Sequence, residues 1–290
     1  MKPAPFAYHV PKSLTEAVAV LTDLGEEGRV LAGGQSLVPL MNFRLAQPAH
    51  LVDINRLEEL DYIRREDGEL AIGARTRQAA LERSDEAREA CPLLLEAVSY
   101  VAHPPVRHRG TVCGSMAHAD PAAELPVALL ALGAEVVVAG QGGERRIPLQ
   151  DFVVAPFTTA LEPGELVREV RVPATAGSAG YAFVEFSPRH GDFAVAEAAV
   201  LLELEGGRVR SAAIALGGVG PTPVRSTAAE QALQGGGGSS EELAEASRRA
   251  VEGLEPSSDL LGGADYRRRV AQGCVQRALE LAFKRAGGGE

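Results

Sequence analysis

A cysteine, a histidine and an aspartate lie close together in segment 111–121, which reads TVCGSMAHADP. Cys113 beside His118 and Asp120 could form a nucleophile with its base, but no oxyanion-hole signature accompanies them. His118 and Asp120 could also bind a metal, although two ligands without a third make a poor site. The third possibility is a loop of small residues that leads into a helix with free N-terminal amides, which favours a pyrophosphate.

A pair of glycines occurs earlier, in VLAGGQSLVPLM, directly after a predicted strand. Gly33 and Gly34 allow the backbone to curl so that successive amides point inward and form a nest for a phosphate, and Ser36 adds a hydroxyl donor. An ordinary tight turn has the same composition. The segment matches neither G-x-G-x-x-G nor a Walker loop, because no GK[ST] follows.

Two other polar or glycine-rich stretches are weaker candidates for a functional site. Arg189, His190 and Asp192 precede Phe193 at a predicted hairpin turn, where polar residues are usually just solvated. The stretch ALGGVGPTPVR is followed by two prolines instead of a helix, so it is interpreted as a structural turn.

Composition narrows the classes of function. The formal net charge of −10, with no basic runs, argues against a nucleic-acid or anionic-membrane partner. The N-terminus has no apolar signal region and no run is long enough to span a bilayer, which predicts a cytoplasmic protein. The three cysteines, Cys91, Cys113 and Cys274, include no CxxC pair, so neither an iron–sulfur cluster nor a cysteine zinc site is expected in this chain.

The elements that must position these residues form an α+β pattern. Helices are predicted from a capping signal at Ser13 or Thr15 to Gly25, around Pro92, and after the opening segment with Asp120 as N-cap and Pro121 at N1. Short strand-like runs alternate with them. Past residue 177 three antiparallel strands, YAFVEFSP, FAVAEAAVLLELE and VRSAAIALGGVG, are followed by amphipathic helices.

The segments AGGQSLVPLMNFRLAQP, RGTVCGSMAHADPAAELP, GDFAVAEAAV and LGGVGPTPVR occur here in a characteristic order. In that order they resemble the FAD-binding medium subunit of molybdenum hydroxylases, the carbon monoxide dehydrogenase and xanthine dehydrogenase-like enzymes. The resemblance covers nearly the whole chain. It implies a two-lobed PCMH-type FAD-binding domain at 1–176, with a small α/β lobe at about 1–55 and a larger mixed lobe at about 56–176. A C-terminal α+β domain at 177–290 would pack a three-stranded antiparallel sheet on helices.

The resemblance also implies which residues hold FAD. The first glycine loop would embrace the pyrophosphate and the flavin edge, and the second would complete the cradle. An acidic residue would hold ribityl or ribose hydroxyls, a backbone contact would reach the flavin ring, and an aromatic residue would lie near the flavin face. The corresponding residues are Ala32, Gly33, Gly34, Gln35, Ser36 and Leu37 in the first loop, Thr111, Val112, Cys113, Gly114 and Ser115 in the second, then Glu124 with its neighbour Asp120, Leu166 and Phe193.

Two positions depart from the family pattern. Cys113 stands where the second loop usually has a glycine, and a Cβ there would strain the turn by roughly 1–2 kcal/mol if that residue needed a positive φ. Val184 and Glu185 stand where some relatives carry a lysine near the flavin.

The function implied by the resemblance is electron transfer. A small partner with two [2Fe–2S] clusters would pass electrons to FAD in this chain, and a large partner would hold the molybdenum cofactor and oxidise the substrate. The assembly would be a dimer of heterotrimers, with the substrate pocket in another chain. A self-sufficient FAD-dependent oxidase or dehydrogenase, and a non-catalytic nucleotide-binding assembly subunit, remain as alternatives. No catalytic acid–base pair and no metal site is assigned to this chain, since the cofactor supplies the chemistry.

Overall fold

A computed structural model describes residues 2–175 and 177–287. The N-terminal stretch forms a small parallel sheet of order β1-β3-β2, against which the first helix packs. Its elements are β1 (Ala7–His9), α1 (Leu14–Leu24), β2 (Gly28–Leu31), α2 (Leu37–Asn42) and β3 (His50–Asp53). The Ser13 hydroxyl accepts a hydrogen bond from the Glu16 amide, so the predicted start of the first helix is confirmed.

The middle of the chain builds a five-stranded antiparallel sheet of order β4-β5-β10-β6-β7, with helices packed on one face. Helix formation breaks at Pro92, as expected, giving two helices in place of one. The elements in chain order are β4 (Ile63–Glu66), β5 (Glu69–Gly73), α3 (Gln78–Leu81), α4 (Asp85–Ala90), α5 (Pro92–Tyr100), α6 (Pro104–Arg107), α7 (Val112–His118), α8 (Glu124–Ala131), β6 (Glu135–Gly140), β7 (Gly143–Pro148), α9 (Leu149–Phe152), β8 (Val153–Ala155), β9 (Thr158–Thr159) and β10 (Leu166–Pro173).

The C-terminal stretch forms an antiparallel sheet followed by three helices. The three predicted strands are present, and a two-residue fourth strand extends the sheet at one edge to give the order β11-β12-β13-β14. The elements are β11 (Gly180–Phe186), β12 (Ala196–Glu205), β13 (Arg208–Gly217), β14 (Val224–Arg225), α10 (Thr227–Leu233), α11 (Ser240–Ala250) and α12 (Ala264–Arg285).

The C-terminal sheet is buried on both faces because its side chains alternate between two cores. Ala198 and Val200 pack with the C-terminal helices. Phe183, Ala199 and Ala215 point the other way and join the core of the N-terminal part of the chain. Helix α8 lies on this second face, against β12 and β13.

One predicted helix start is wrong. Helix α8 begins at Glu124 with Ala123 as its N-cap, not at Pro121. The Asp120 carboxylate accepts a hydrogen bond from the Ala122 amide instead, so it closes a tight Asx-type turn that ends before the helix starts.

The predicted domain limits include Met1, Ala176 and residues 288–290, which lie outside the described residues, and the limits stay a prediction. Over the described ranges, no helix is both long enough and apolar enough to cross a membrane.

Candidate functional site

An open cavity of about 420 Å³ lies at the carboxyl ends of β2 and β3. Parallel strands place their carboxyl ends at one edge of a sheet, where ligands commonly bind in the crevice beyond the strands. The cavity is lined by Tyr8, Leu31, Ala32, Gly33, Gly34, Gln35, Val38, Pro39, Asp53, Asn55 and Arg109.

The backbone of the first glycine loop carries unused hydrogen-bond donors. The amides of residues 33–36 have no partner among the described residues. Gly34 has φ +70°, which a residue with a side chain rarely adopts. This left-handed turn of the backbone lies between the end of β2 and the start of α2. Unpaired amides at the wall of a cavity are the donors of an anion-binding nest.

The two predicted loops meet at Gly33. A Cβ atom there would lie 2.3 Å from the carbonyl oxygen of Arg109 and 2.8 Å from the α-carbon of Gly110. Only a glycine permits this approach, which brings the first loop to the residue before Thr111. The structure therefore places the first loop against the two residues that precede Thr111.

The side chains of Arg77 and Asn55 stabilise this junction between the two segments through hydrogen bonds. The Asn55 side-chain amide donates to the Ala32 carbonyl at 2.8 Å, and the Arg77 guanidinium donates to Asn55 Oδ1 and to the Arg109 carbonyl, both at 2.5 Å. Burial, followed by the nearby Arg109 charge, lowers the pKa of Arg77. Arg109 lines the cavity beside the free amides of the loop, and a cationic residue there favours an anionic ligand.

The second predicted loop is a short helix, α7, and fewer of its amides are free than expected. Thr111 is its N-cap, and its hydroxyl accepts from the Gly114 amide at 3.0 Å. The Val112 amide donates to the Thr76 carbonyl. Two first-turn donors are therefore already paired, because the segment closes on its own cap and on the turn before α3.

Cys113 fits this helix without strain. It lies in the first turn of α7 and is absent from the residues with positive φ. Its thiol is 2% exposed and donates to the Ile72 carbonyl at 3.4 Å, and burial raises its pKa far above the ordinary value. A buried, protonated thiol is a poor nucleophile, so the possible cysteine active site is excluded.

His118 and Asp120 lie at the other end of α7. Their side chains are 3.8 Å apart, and burial lowers the pKa of His118 despite the nearby carboxylate. Over the described residues, no group of three or more His, Cys, Asp or Glu side chains is arranged to hold a metal ion.

Glu124 is buried at the first position of α8. Burial, with a smaller contribution from Glu185 and Asp120, raises its pKa to about 8. The Leu166 side chain is 1% exposed in the main core, so a ligand contact there would come from its backbone. The Phe193 ring is 62% exposed in the turn before β12.

Seven residues that line the cavity were not predicted as site residues, namely Tyr8, Leu31, Val38, Pro39, Asp53, Asn55 and Arg109. The Tyr8 hydroxyl donates to the Asp53 carboxylate, which also accepts from the Asn55 backbone amide. Asp53 and Asn55 end a predicted strand beside the strand that precedes the glycine loop. The rule that parallel strands end at one ligand-binding edge could have indicated them.

Comparison with known proteins agrees with this geometry. Residues 4–175 match the FAD binding domain in molybdopterin dehydrogenase, and residues 181–282 match the CO dehydrogenase flavoprotein C-terminal domain. The chain is 46% identical to the 6-hydroxypseudooxynicotine dehydrogenase complex subunit alpha of Paenarthrobacter nicotinovorans, over 99% of this chain and 97% of that protein. It is 41% identical to the carbon monoxide dehydrogenase medium chain of Hydrogenophaga pseudoflava, over 98% and 99% of the two chains. A chain in the structure of reconstituted CO dehydrogenase from Oligotropha carboxidovorans superposes with a TM-score of 0.96 at 40% identity, over 98% of this chain and 100% of that one.

Proposed function

Because the chain belongs to the family of FAD-binding medium subunits of molybdenum hydroxylases, we propose that it transfers electrons through FAD within such a complex. It would accept electrons from [2Fe–2S] clusters of a small partner subunit and pass them to an acceptor. A large partner subunit would hold the molybdenum cofactor. The assembly would be a dimer of heterotrimers, and a cytoplasmic location stays a prediction from the sequence.

The free amides of residues 33–36 are the observation that carries this proposal. Residues 33–35 line an open cavity together with Arg109, and no protein group among the described residues satisfies the amides of residues 33–36. A pyrophosphate is dianionic at neutral pH and accepts several hydrogen bonds at once, so it fits this donor set. The residues present therefore fit FAD.

Each predicted residue would have a distinct role. The first loop, from Ala32 to Leu37, would bind the pyrophosphate, and the N-terminal part of α7 from Thr111 to Ser115 would form the second wall. Glu124, with Asp120 beside it, would accept hydrogen bonds from sugar or ribityl hydroxyls. The Leu166 backbone and the Phe193 ring would fix the flavin ring.

When bound, FAD supplies the redox chemistry. The protein's own part is to hold the cofactor rigidly at one distance from its electron donor. The buried thiol of Cys113 and the paired amides of α7 fit a structural role, because neither offers a reacting group.

Co-expression with the genes of the two partner subunits tests the proposal. The purified complex should contain FAD, iron, acid-labile sulfide and molybdenum in fixed ratios, and substrate should bleach the flavin absorption only in the complete complex. Substrate turnover by the isolated chain would instead favour the self-sufficient oxidase.

A pair of glycine variants tests the loop. Gly34→Val should abolish FAD binding by displacing the free amides. Gly133→Val is the matched control, since Gly133 has a similar φ of +66° but nothing within 4 Å of its missing side chain. Retention of FAD by Gly34→Val would contradict the role of the loop.

A further inference from the structure

Glu197 is a buried carboxyl group without a partner. It lies near the start of β12 with no exposed surface, and neither of its carboxylate oxygens has a hydrogen-bond partner among the described residues. Removing a carboxyl from water without replacing its hydrogen bonds strongly disfavours the folded state. A side chain retained under these conditions calls for a functional explanation.

The Glu197 carboxyl points toward α8. Gly217 pairs with Glu197 across β12 and β13, and a Cβ atom at Gly217 would lie 2.1 Å from Glu197 Oε1 and 2.5 Å from Val127 Cγ2. The Glu197 carboxyl and the Val127 side chain thus flank the same glycine. Val127 follows Glu124 by three residues on α8, so the Glu124 side chain lies on the same helix face, one turn away.

The charged side chains that act on Glu197 are acidic, and the Arg267 guanidinium of α12 is engaged with the backbone carbonyls of Val195 and Gly218. Glu185 is its cross-strand partner on β11, Asp120 lies before α8, and Cys274 of α12 approaches β12 from the opposite face. No lysine or arginine acts on Glu124, Glu185 or Glu197 among the described residues. Burial, followed by the charges of Glu124, Glu185 and Asp120, raises the pKa of Glu197 well above its ordinary value.

A metal ion is not the explanation, because these carboxyls form no metal-binding group over the described residues. A proton is the remaining counterion for adjacent buried carboxyls. Two carboxyls that cannot both ionise share a proton, and the protonated one becomes a hydrogen-bond donor to the other.

We propose that Glu197 is a positioning residue for the FAD site, which keeps its proton and donates it in a hydrogen bond to the Glu124 carboxylate. Glu124, ionised and fixed in this way, accepts hydrogen bonds from the vicinal hydroxyl groups of the ribityl chain or of the ribose. The inference rests on the proposed role of Glu124 in FAD binding.

The proposal predicts how many protons the protein releases to the solvent when FAD binds. In the free protein at pH 7 both Glu124 and Glu197 are protonated, since the pKa of Glu124 is about 8. Hydroxyl donors of the ligand favour the ionised form of Glu124, so one proton leaves to the solvent while Glu197 keeps its own. The affinity for FAD should therefore rise about tenfold per pH unit up to about pH 8 and then level off.

Titration of the full-length chain with FAD, followed by flavin fluorescence between pH 6 and pH 10, tests the proposal. Glu197→Met removes the donor at similar volume, and Glu197→Gln keeps a neutral donor. At pH 7, Glu197→Met should bind FAD about 10- to 100-fold more weakly, and its affinity should level off at a higher pH, because Glu124 ionises less readily without a donor. Glu197→Gln should stay within about threefold of the unsubstituted chain, with the same pH profile.

Glu203→Met is the matched control, since Glu203 lies on the same strand and the same face as Glu197 but is partly exposed and bonded to Ser211. It should leave the affinity unchanged. Parallel titrations with FMN and with ADP identify the hydroxyls: a loss for FMN indicates the ribityl chain, and a loss for ADP indicates the ribose.

The outcomes separate this inference from the proposed function. An unsubstituted chain that binds no FAD contradicts the proposed function itself. Normal FAD binding by the unsubstituted chain and by Glu197→Met would overturn the inference alone. If Glu197→Met does not fold, the inference can still be tested by measuring proton release when FAD binds to the unsubstituted chain. Calorimetry in two buffers should show the release of about one proton at pH 7. A value near zero would overturn the inference.

Discussion

Gly33 lies directly against the backbone carbonyl of Arg109, so that a Cβ atom at Gly33 would come within 2.3 Å of that oxygen. This approach joins a loop of the small parallel sheet to the residues that precede α7. The two halves of the predicted cradle are thus joined through backbone, not through side chains. Any side chain at position 33 must push them apart.

Gly33→Ala should therefore weaken both folding and FAD binding. We expect a loss of about 1–3 kcal/mol in the free energy of unfolding, because the new methyl group overlaps main-chain atoms that cannot rotate away. Urea denaturation and FAD titration measure the two effects. Gly142→Ala is the control, since a Cβ at Gly142 meets nothing within 4 Å, and an equal loss in that variant would contradict the explanation.

The buried carboxyls predict how the stability of the FAD-free chain depends on pH. The pKa of Glu124 is raised to about 8 and that of Glu197 is also raised, so from the ordinary glutamate range upward the folded chain binds more protons than the unfolded chain. The free energy of unfolding should fall as pH rises through this window, by about 1.4 kcal/mol per pH unit for each carboxyl that stays protonated. Below the ordinary range both states are protonated and the effect is absent.

Urea denaturation at half-unit steps from pH 5 to pH 9 measures this slope. The double variant Glu124→Gln, Glu197→Gln cannot ionise at these positions and should show a flatter profile. A profile equally steep in the double variant would assign the pH dependence to other groups.

The sequence predicted the main elements because their patterns are local. Ser13 and Pro92 act on the turn in which they lie, and the nearly continuous apolar runs in AFVEF and AEAAVLLEL reflect strands buried on both faces. Asp120 failed as a helix cap because two local uses of an aspartate, the N-cap and the Asx-type turn, have the same sequence signature. Arg109 and Glu197 could not be identified locally, since their surroundings come from strands and helices distant in the chain.

Cys113 offers a test of the departure from the family's usual glycine. Cys113→Gly should destabilise the chain by about 1–2 kcal/mol, because it leaves a small cavity beside Ile72 and places a glycine in a helix. FAD affinity should not change, since the thiol points into the core. Denaturation and FAD titration give the two values, and tighter FAD binding by the variant would show that the cysteine strains the site.

Burial of the three cysteine side chains predicts that their thiols react slowly with a disulfide reagent. All three cysteines are buried, and burial raises the pKa of Cys91 and Cys274 to about 12. The folded chain should react with an aromatic disulfide reagent only at its rate of unfolding, and the urea-unfolded chain should react at once at three sites. Rapid modification of one thiol in the folded chain would contradict the placement of that cysteine.

Phe193 is exposed without a packing role in the free chain, so its substitution should separate ligand binding from folding. Phe193→Ala should change the free energy of unfolding by less than about 0.5 kcal/mol, as expected for an exposed side chain. If its ring lies on the flavin, the variant should raise the fluorescence of bound FAD, because stacking on an aromatic ring is lost. Phe43→Ala is the control, since Phe43 is 66% exposed at the end of α2 and no contact with FAD is assigned to it. Equal flavin fluorescence in both variants and in the unsubstituted chain would remove Phe193 from the site.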